Sequence, residues 1–154
     1  MPDTETFDLQ DFLPYLLNEA ADATSLEFQR YYKDRYGMLR TEWRVLFHLG
    51  HYGMMTAKQI SDSARIHKTK ISRAVAALEE KRFVQRERDE VDRRIENLWL
   101  SKTGQAAFRD LSAQAAQYDQ IFMAKVPEAD REALRRCLRV IADIQTPVSR
   151  PTPR

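Results

Sequence analysis

The sequence predicts a mainly α-helical fold that carries one small β-hairpin. Three observations predict it. The 154-residue chain has only four Gly and six Pro, two of the Pro within the last four residues, which leaves long stretches of good helix formers. Apolar residues recur at helical spacing along most of it, and strand-like alternation is confined to 84–88 (VQRER) and 97–101 (NLWLS). With 43% hydrophobic and 31% charged residues, the chain has the material for one ordinary domain with a core, and a large β sandwich is excluded.

The elements follow in order. From Phe12 to about Tyr36, the residues Phe12, Leu13, Leu16, Leu17, Ala20, Phe28, Tyr31 and Tyr32 keep one helical face apolar. Asp11 is placed to cap that helix, Pro14 sits in its first turn, Thr24 and Ser25 mark the place for a bend, and Gly37 ends it. Thr41 is placed to cap a second helix with Trp43, Leu46, Phe47 and Leu49 on its apolar face, broken by Gly50 and Gly53. Thr56 with Gln59 three residues on is a capping-box pattern, opening a short helix that carries Ile60 and Ala64. A second short helix follows almost at once, over about 68–81, with Ile71, Val75, Ala76 and Leu78 inward. Two short helices with a tight joint make a helix-turn-helix candidate.

The two alternating stretches are separated by the charged segment DEVDRRIE, so they predict a hairpin with that segment at its tip, a wing. Ser101 then caps a helix in which Phe108, Leu111, Ala115, Tyr118 and Phe122 step by 3, 4, 3 and 4 residues. That is a heptad seam, which needs a partner helix. After Pro127 a last helix presents Leu134, Cys137, Leu138, Ile141 and Ile144, and the stretch from Pro147 onward reads as an unstructured tail.

Net charge is only +2, so bulk charge argues for no partner, but the distribution is uneven. Residues 1–30 hold seven acids and one base, whereas 65–73 hold Arg65, Lys68, Lys70 and Arg73 and no acid. Lys68, Thr69, Lys70, Ser72 and Arg73 fall on the exposed N-terminal half of the second short helix. A helix N-terminus has unpaired N–H groups and a partial positive charge, small hydroxyls allow close approach, and cationic arms reach phosphates or guanine. These five residues are therefore candidate contacts to double-stranded DNA in the major groove. A solvated amphipathic helix with a chance basic run is the plainer alternative. The wing favours DNA: Arg93 and Arg94 lie at its tip and Arg86 on the incoming strand, placed for the narrow, strongly negative minor groove. Asp92, two residues before Arg94, is expected to hold that side chain extended as a support of the wing.

Other signals are weaker. A single cysteine, Cys137, forms no disulfide within the chain and suits a reducing compartment, so a cytoplasmic location is expected; on an apolar helix face it is expected to be buried and inert. No apolar run approaches the roughly 20 residues that span a bilayer, and the acidic start is unlike a signal peptide, so no membrane partner is expected. His48 and His51 lie three apart, but no cysteine or carboxylate cluster joins them, and no metal site is expected. No phosphate loop, nucleophile elbow or paired-acid arrangement is present, so no catalytic residue and no cofactor can be named.

The order of elements, the segments TEWRVLFHL and IHKTKISRAVAALEEKRFVQR, and above all DRRIENLWLS resemble the MarR family of winged helix-turn-helix regulators over about residues 12–145. The most specific part is Asp-x-Arg followed by Leu-x-Leu-Ser, on Asp92, Arg94, Leu98, Leu100 and Ser101. The resemblance implies a homodimer on a palindromic operator, usually a repressor, released by a small phenolic or other lipophilic effector. The fold expected is a winged helix-turn-helix domain at 37–101. Residues 1–36 and 102–145 would form a helical dimerisation region, and 146–154 a flexible tail. The effector pocket implied would lie among Tyr32, Tyr36, Trp43 and Phe108, with Arg44 or His48 as the polar group. Two departures stand out: His67 where many members carry an acidic cap, and Arg82 where glycine is common. A protein-interaction module of the same fold, with the basic helix on an acidic partner and no specific DNA site, remains the alternative.

Overall fold

The computed structural model describes residues 6–143. It forms two compact units, the first ending at Ala116 and the second beginning at Gln117. A single 3-10 turn, Leu9–Asp11, precedes α1 (Leu13–Tyr36), α2 (Arg40–Tyr52), β1 (Met55–Thr56), α3 (Ala57–Ala64), α4 (Lys68–Glu80), β2 (Val84–Arg88), β3 (Glu96–Leu100), α5 (Lys102–Met123) and α6 (Glu128–Ile141). The fold is mainly helical, with one antiparallel sheet in the order β1-β3-β2, as expected apart from β1. That strand is two residues long, too short to alternate, and pairs Met55 with Leu98 and Thr56 with Asn97. In the hairpin, Val84 faces Leu100 and Arg88 faces Glu96.

The core of the first unit is built from Val45, Leu46 and Leu49 of α2, Ile60 of α3, Ile71, Ala74, Val75 and Leu78 of α4, Leu98 and Leu100 of β3, and Ala107 and Leu111 of α5. Ala74, and not the expected Ala76, faces inward, because positions 71, 74, 75 and 78 share one face of a 3.6-residue helix. Other local expectations are corrected too. Asp11 does not cap α1: it lies inside the 3-10 turn, which Asp8 caps through the Gln10 N–H, and Phe12 stands at the α1 N-cap without a side-chain bond. α1 is one helix through Thr24 and Ser25, where the Thr24 hydroxyl donates back to the Ala20 carbonyl at 2.7 Å, a bond that favours the bend expected there. Thr41 does not cap α2; the Glu42 carboxylate accepts from the Leu39 N–H instead. Gly50 does not end α2, which continues to Tyr52. It is there for clearance, since a Cβ on residue 50 would stand 2.4 Å from the Phe108 ring of α5.

The turn after α4 is the tightest joint in this unit. Arg82 takes the left-handed conformation (φ 64°) where glycine is common, and the Arg82 and Phe83 N–H groups donate back to the Glu79 and Leu78 carbonyls. A left-handed arginine costs about 1–2 kcal/mol. Ser101 holds the turn from the other side: its N–H donates to the Phe83 carbonyl (3.0 Å) and its hydroxyl to the Arg82 carbonyl (2.6 Å). The same hydroxyl oxygen accepts from the Gly104 N–H in the first turn of α5. A Cβ on residue 104 would stand 2.1 Å from the Phe83 oxygen, a backbone atom with no room to yield.

α1 and α5 are joined by polar contacts as well. The Tyr31 and Tyr36 hydroxyls donate to the Asp110 carboxylate, and Arg35 pairs with it at 3.2 Å. In the second unit, Arg135 pairs with Asp119 at 2.6 Å, and α6 buries no residue. Leu134, Cys137, Leu138 and Ile141 are all exposed, so Cys137 is not the buried thiol expected. Ile144 and the tail lie outside the described residues.

Gly104→Ala should lower stability by about 3 kcal/mol, since the added methyl meets backbone. A thermal melt of the variant beside an alanine substitution at its exposed neighbour in the same turn of α5, Thr103→Ala, separates this clash from helix propensity.

Candidate nucleic-acid interface

The joint between α3 and α4 is set by local hydrogen bonds. Thr56 and Gln59 form the expected reciprocal capping box, at 3.2 and 2.9 Å. α3 ends on Arg65 in the left-handed conformation, and the Ser61 hydroxyl donates to the Ile66 carbonyl at 2.6 Å. His67 then caps α4: its Nδ1 accepts from the Thr69 N–H at 3.2 Å. The departure from an acidic cap therefore costs no hydrogen bond, provided the imidazole is neutral and protonated at Nε2. With Ile71, Ala74, Val75 and Leu78 in the core, Lys68, Thr69, Lys70, Ser72 and Arg73 are all exposed at the free start of α4.

The wing tip, residues 89–95, is folded by two carboxylates. Asp89 accepts from the Val91 and Asp92 N–H groups at 2.9 and 3.1 Å, and its own N–H donates to Ile95 at 2.8 Å. Asp92 accepts from the Arg94 N–H and Nε with one oxygen and from Nη2 with the other, all at 3.1 Å. This fork fixes the guanidinium plane while the Arg94 side chain stays 90% exposed. The Arg94 side chain and N–H hold the Asp92 carboxyl below the usual carboxylate range, and the Asp92 and Val91 N–H groups do the same for Asp89. In the sequence Asp89 counts as one of four acids near the tip that would repel DNA; an aspartate two and three residues ahead of the N–H groups it binds is also a turn signal.

Arg86 is exposed on β2, and its guanidinium pairs with Glu79 of α4 at 2.5 Å and with Glu96 of β3 at 3.0 Å, so it also clasps the wing to the helix. Burial works against its charge, but hydrogen bonds to Glu96 and Glu79 outweigh this and raise its pKa. Arg88 lies 3.8 Å from Glu96, and Arg93 is exposed at the tip.

The residues expected to meet an effector have partners within the chain. Tyr32 is buried, and burial raises its hydroxyl pKa. Trp43 packs edge-on against Phe28 and Phe47, Phe47 against Phe108, and Tyr36 against Phe83. Arg44 donates to the Ala64 carbonyl at 3.0 Å; burial, and then the Arg40 charge, lower its pKa. His48 Nδ1 lies 2.7 Å from the Arg44 carbonyl. Among the described residues, no three His, Cys, Asp or Glu side chains gather as a metal-binding set, and no helix is long and apolar enough to cross a membrane. Open clefts flank the wing instead. The larger, about 560 Å³, is lined by Glu79, Arg82, Arg86 and Trp99, among others.

Because Asp89 and Asp92 have depressed pKa values, their bonds contribute at neutral pH and are lost as pH falls through those depressed values, below the ordinary carboxylate value of about 4. Acid titration should therefore lower the protection of the Val91, Asp92 and Arg94 amides, measured against their intrinsic exchange rate at each pH, before the helices melt. Simultaneous loss would place these carboxylates outside tip folding.

Residues 36–95 match the MarR family. An HTH-type transcriptional regulator of Bacillus subtilis, YwoH, is 26% identical over 105 residues, 68% of this chain and 76% of that protein. Among solved structures, BpsR of Bordetella bronchiseptica, whose DNA binding is regulated by 6-hydroxynicotinic acid, superposes with a TM-score of 0.81. It is 20% identical, over 91% of this chain and 99% of that one. The MepR–DNA complex of S. aureus gives a TM-score of 0.76 at 16% identity, over 87% and 98%.

Proposed function

On the premise that residues 36–95 are MarR-family sequence set in the fold of its regulators, we propose that this protein is a dimeric, sequence-specific DNA-binding transcriptional regulator. It acts in the cytoplasm as a repressor that a small aromatic or phenolic ligand releases. The observation that carries the DNA reading is the pairing of two exposed cationic elements on one rigid support. Lys68, Thr69, Lys70, Ser72 and Arg73 stand at the free start of α4, and the Asp92-clamped Arg94, with Arg93 beside it, stands at the wing tip. The α4 residues read the major groove, and Arg94 enters the minor groove. Arg86, exposed beside Glu79 and Glu96, is a further candidate contact on the incoming strand.

Two further features support a dimer. The apolar face of α6 is exposed in one chain, and the seam on α5 continues past Leu111 to half-buried Ala115, Tyr118 and Phe122. A two-fold pair presents two α4 helices to half-sites about 34 Å apart, hence a palindromic operator. Effector control draws support from BpsR, whose ligand is an aromatic acid. A 100-fold release needs about 2.7 kcal/mol of difference in ligand affinity between the DNA-competent and DNA-incompetent states. Since the rings of Trp43, Phe47 and Phe108 pack on one another, the ligand must open these contacts to enter, and that opening would change how α2 meets α5.

Arg94→Ala should weaken binding to a duplex selected from a random pool by about tenfold, and Lys70→Ala should reduce the salt slope by about one. Titration at two salt concentrations reads both; affinity indifferent to salt and to both substitutions favours the protein-interaction module. Leu138→Asp should halve the mass in sedimentation equilibrium, because it places a charge on the α6 face. A wild-type protein that sediments as one chain defeats the dimer.

A further inference from the structure

Glu42 is 3% exposed, the one charged side chain in the core among the described residues. One of its oxygens accepts from the Leu39 N–H at the start of α2, and the other accepts from Lys81 Nζ at 2.7 Å. Lys81 is the residue that ends α4, and its stem passes 3.7 Å from where a Cβ of Gly37 would stand, at the end of α1. One carboxylate thus ties together the start of α2 and the end of α4, beside the end of α1.

A buried ion pair adds little net stability over apolar residues of the same shape; what it adds is direction. Ile71, Ala74, Val75 and Leu78 hold α4 by apolar contact, which tolerates small rotation and sliding, whereas a charge-assisted hydrogen bond does not. The lever is long. A helix of 13 residues runs about 20 Å, so a tilt of about 5° at its pinned end moves its free start by roughly 2 Å. A binding surface tolerates displacements of only about 0.5 Å.

We propose that Glu42 and Lys81 are positioning residues: their ion pair, buried on the Glu42 side and half-buried on the Lys81 side, fixes the end of α4 and so decides where residues 68–73 land on DNA they never touch themselves. The DNA half of this rests on the reading above.

Glu42→Gln keeps the shape and an acceptor for the Leu39 N–H, ends the ion pair and adds one positive charge. Bulk electrostatics alone makes such a variant bind DNA more tightly. A lost pin makes it bind the duplex selected by the wild-type protein about tenfold more weakly, with affinity for a shuffled duplex unchanged or higher. Lys81→Arg, which keeps the pair, retains wild-type affinity; melting curves establish that both variants are folded at the assay temperature. If Glu42→Gln does not fold, the double variant Glu42→Gln/Lys81→Met leaves no charge unpaired and carries the same expectation. The pose is also read without DNA, as the amide chemical shifts of residues 68–73, which move in Glu42→Gln and stay in Lys81→Arg. Unmoved shifts, or selected-duplex affinity at or above wild type in a folded Glu42→Gln, overturn the proposal. Moved shifts in a protein whose wild type prefers no selected duplex leave the pin standing and remove the DNA reading.

Discussion

The first unit depends on how closely the start of α5 approaches the turn that ends α4. The Phe83 carbonyl occupies the space that any side chain at position 104 would need, and Ser101 bonds to both carbonyls of that turn. Because β3 runs directly into Ser101, the end of α4, the wing and α5 share one short stretch of backbone. None of the three can shift there without disturbing the other two. The left-handed Arg82 is tolerated because the hydrogen bonds on both sides of it leave the turn no alternative conformation.

How much of this was legible in the sequence follows from the range of the forces involved. The capping box at Thr56, the outward face of α4 and the hairpin are local, set by side chains a few residues apart, and were readable. Gly50 was misread because the reason for it is Phe108, far along the chain; a glycine inside α2 and a glycine that ends it look alike until the partner is known. The pairing of Arg86 with Glu79 was hidden for the same reason, since it crosses elements. Glu42 left a partial signal, the glutamate of a capping box without its serine or threonine. The clamp on Arg94, only two residues from Asp92, lies within reach of sequence reasoning, whereas the convergence of Tyr31, Arg35 and Tyr36 on Asp110 does not.

Aromatic residues posed a different difficulty. Seven-residue spacing and ring content suit a ligand cavity, a dimer seam and a plain core equally well. In the folded chain, Trp43, Phe47 and Phe108 meet edge to face and Tyr32 is covered, so their first duty is packing. Apolar surface stays open on α6, at Leu134, Leu138 and Ile141, and on α1, at Leu13, Leu16 and Leu26.

The clasp formed by Glu79, Arg86 and Glu96 bears on more than wing geometry. Two carboxylates offset one guanidinium within the chain, so on the function proposed above the wing attracts a polyanion less, whatever its sequence, than its number of arginines suggests.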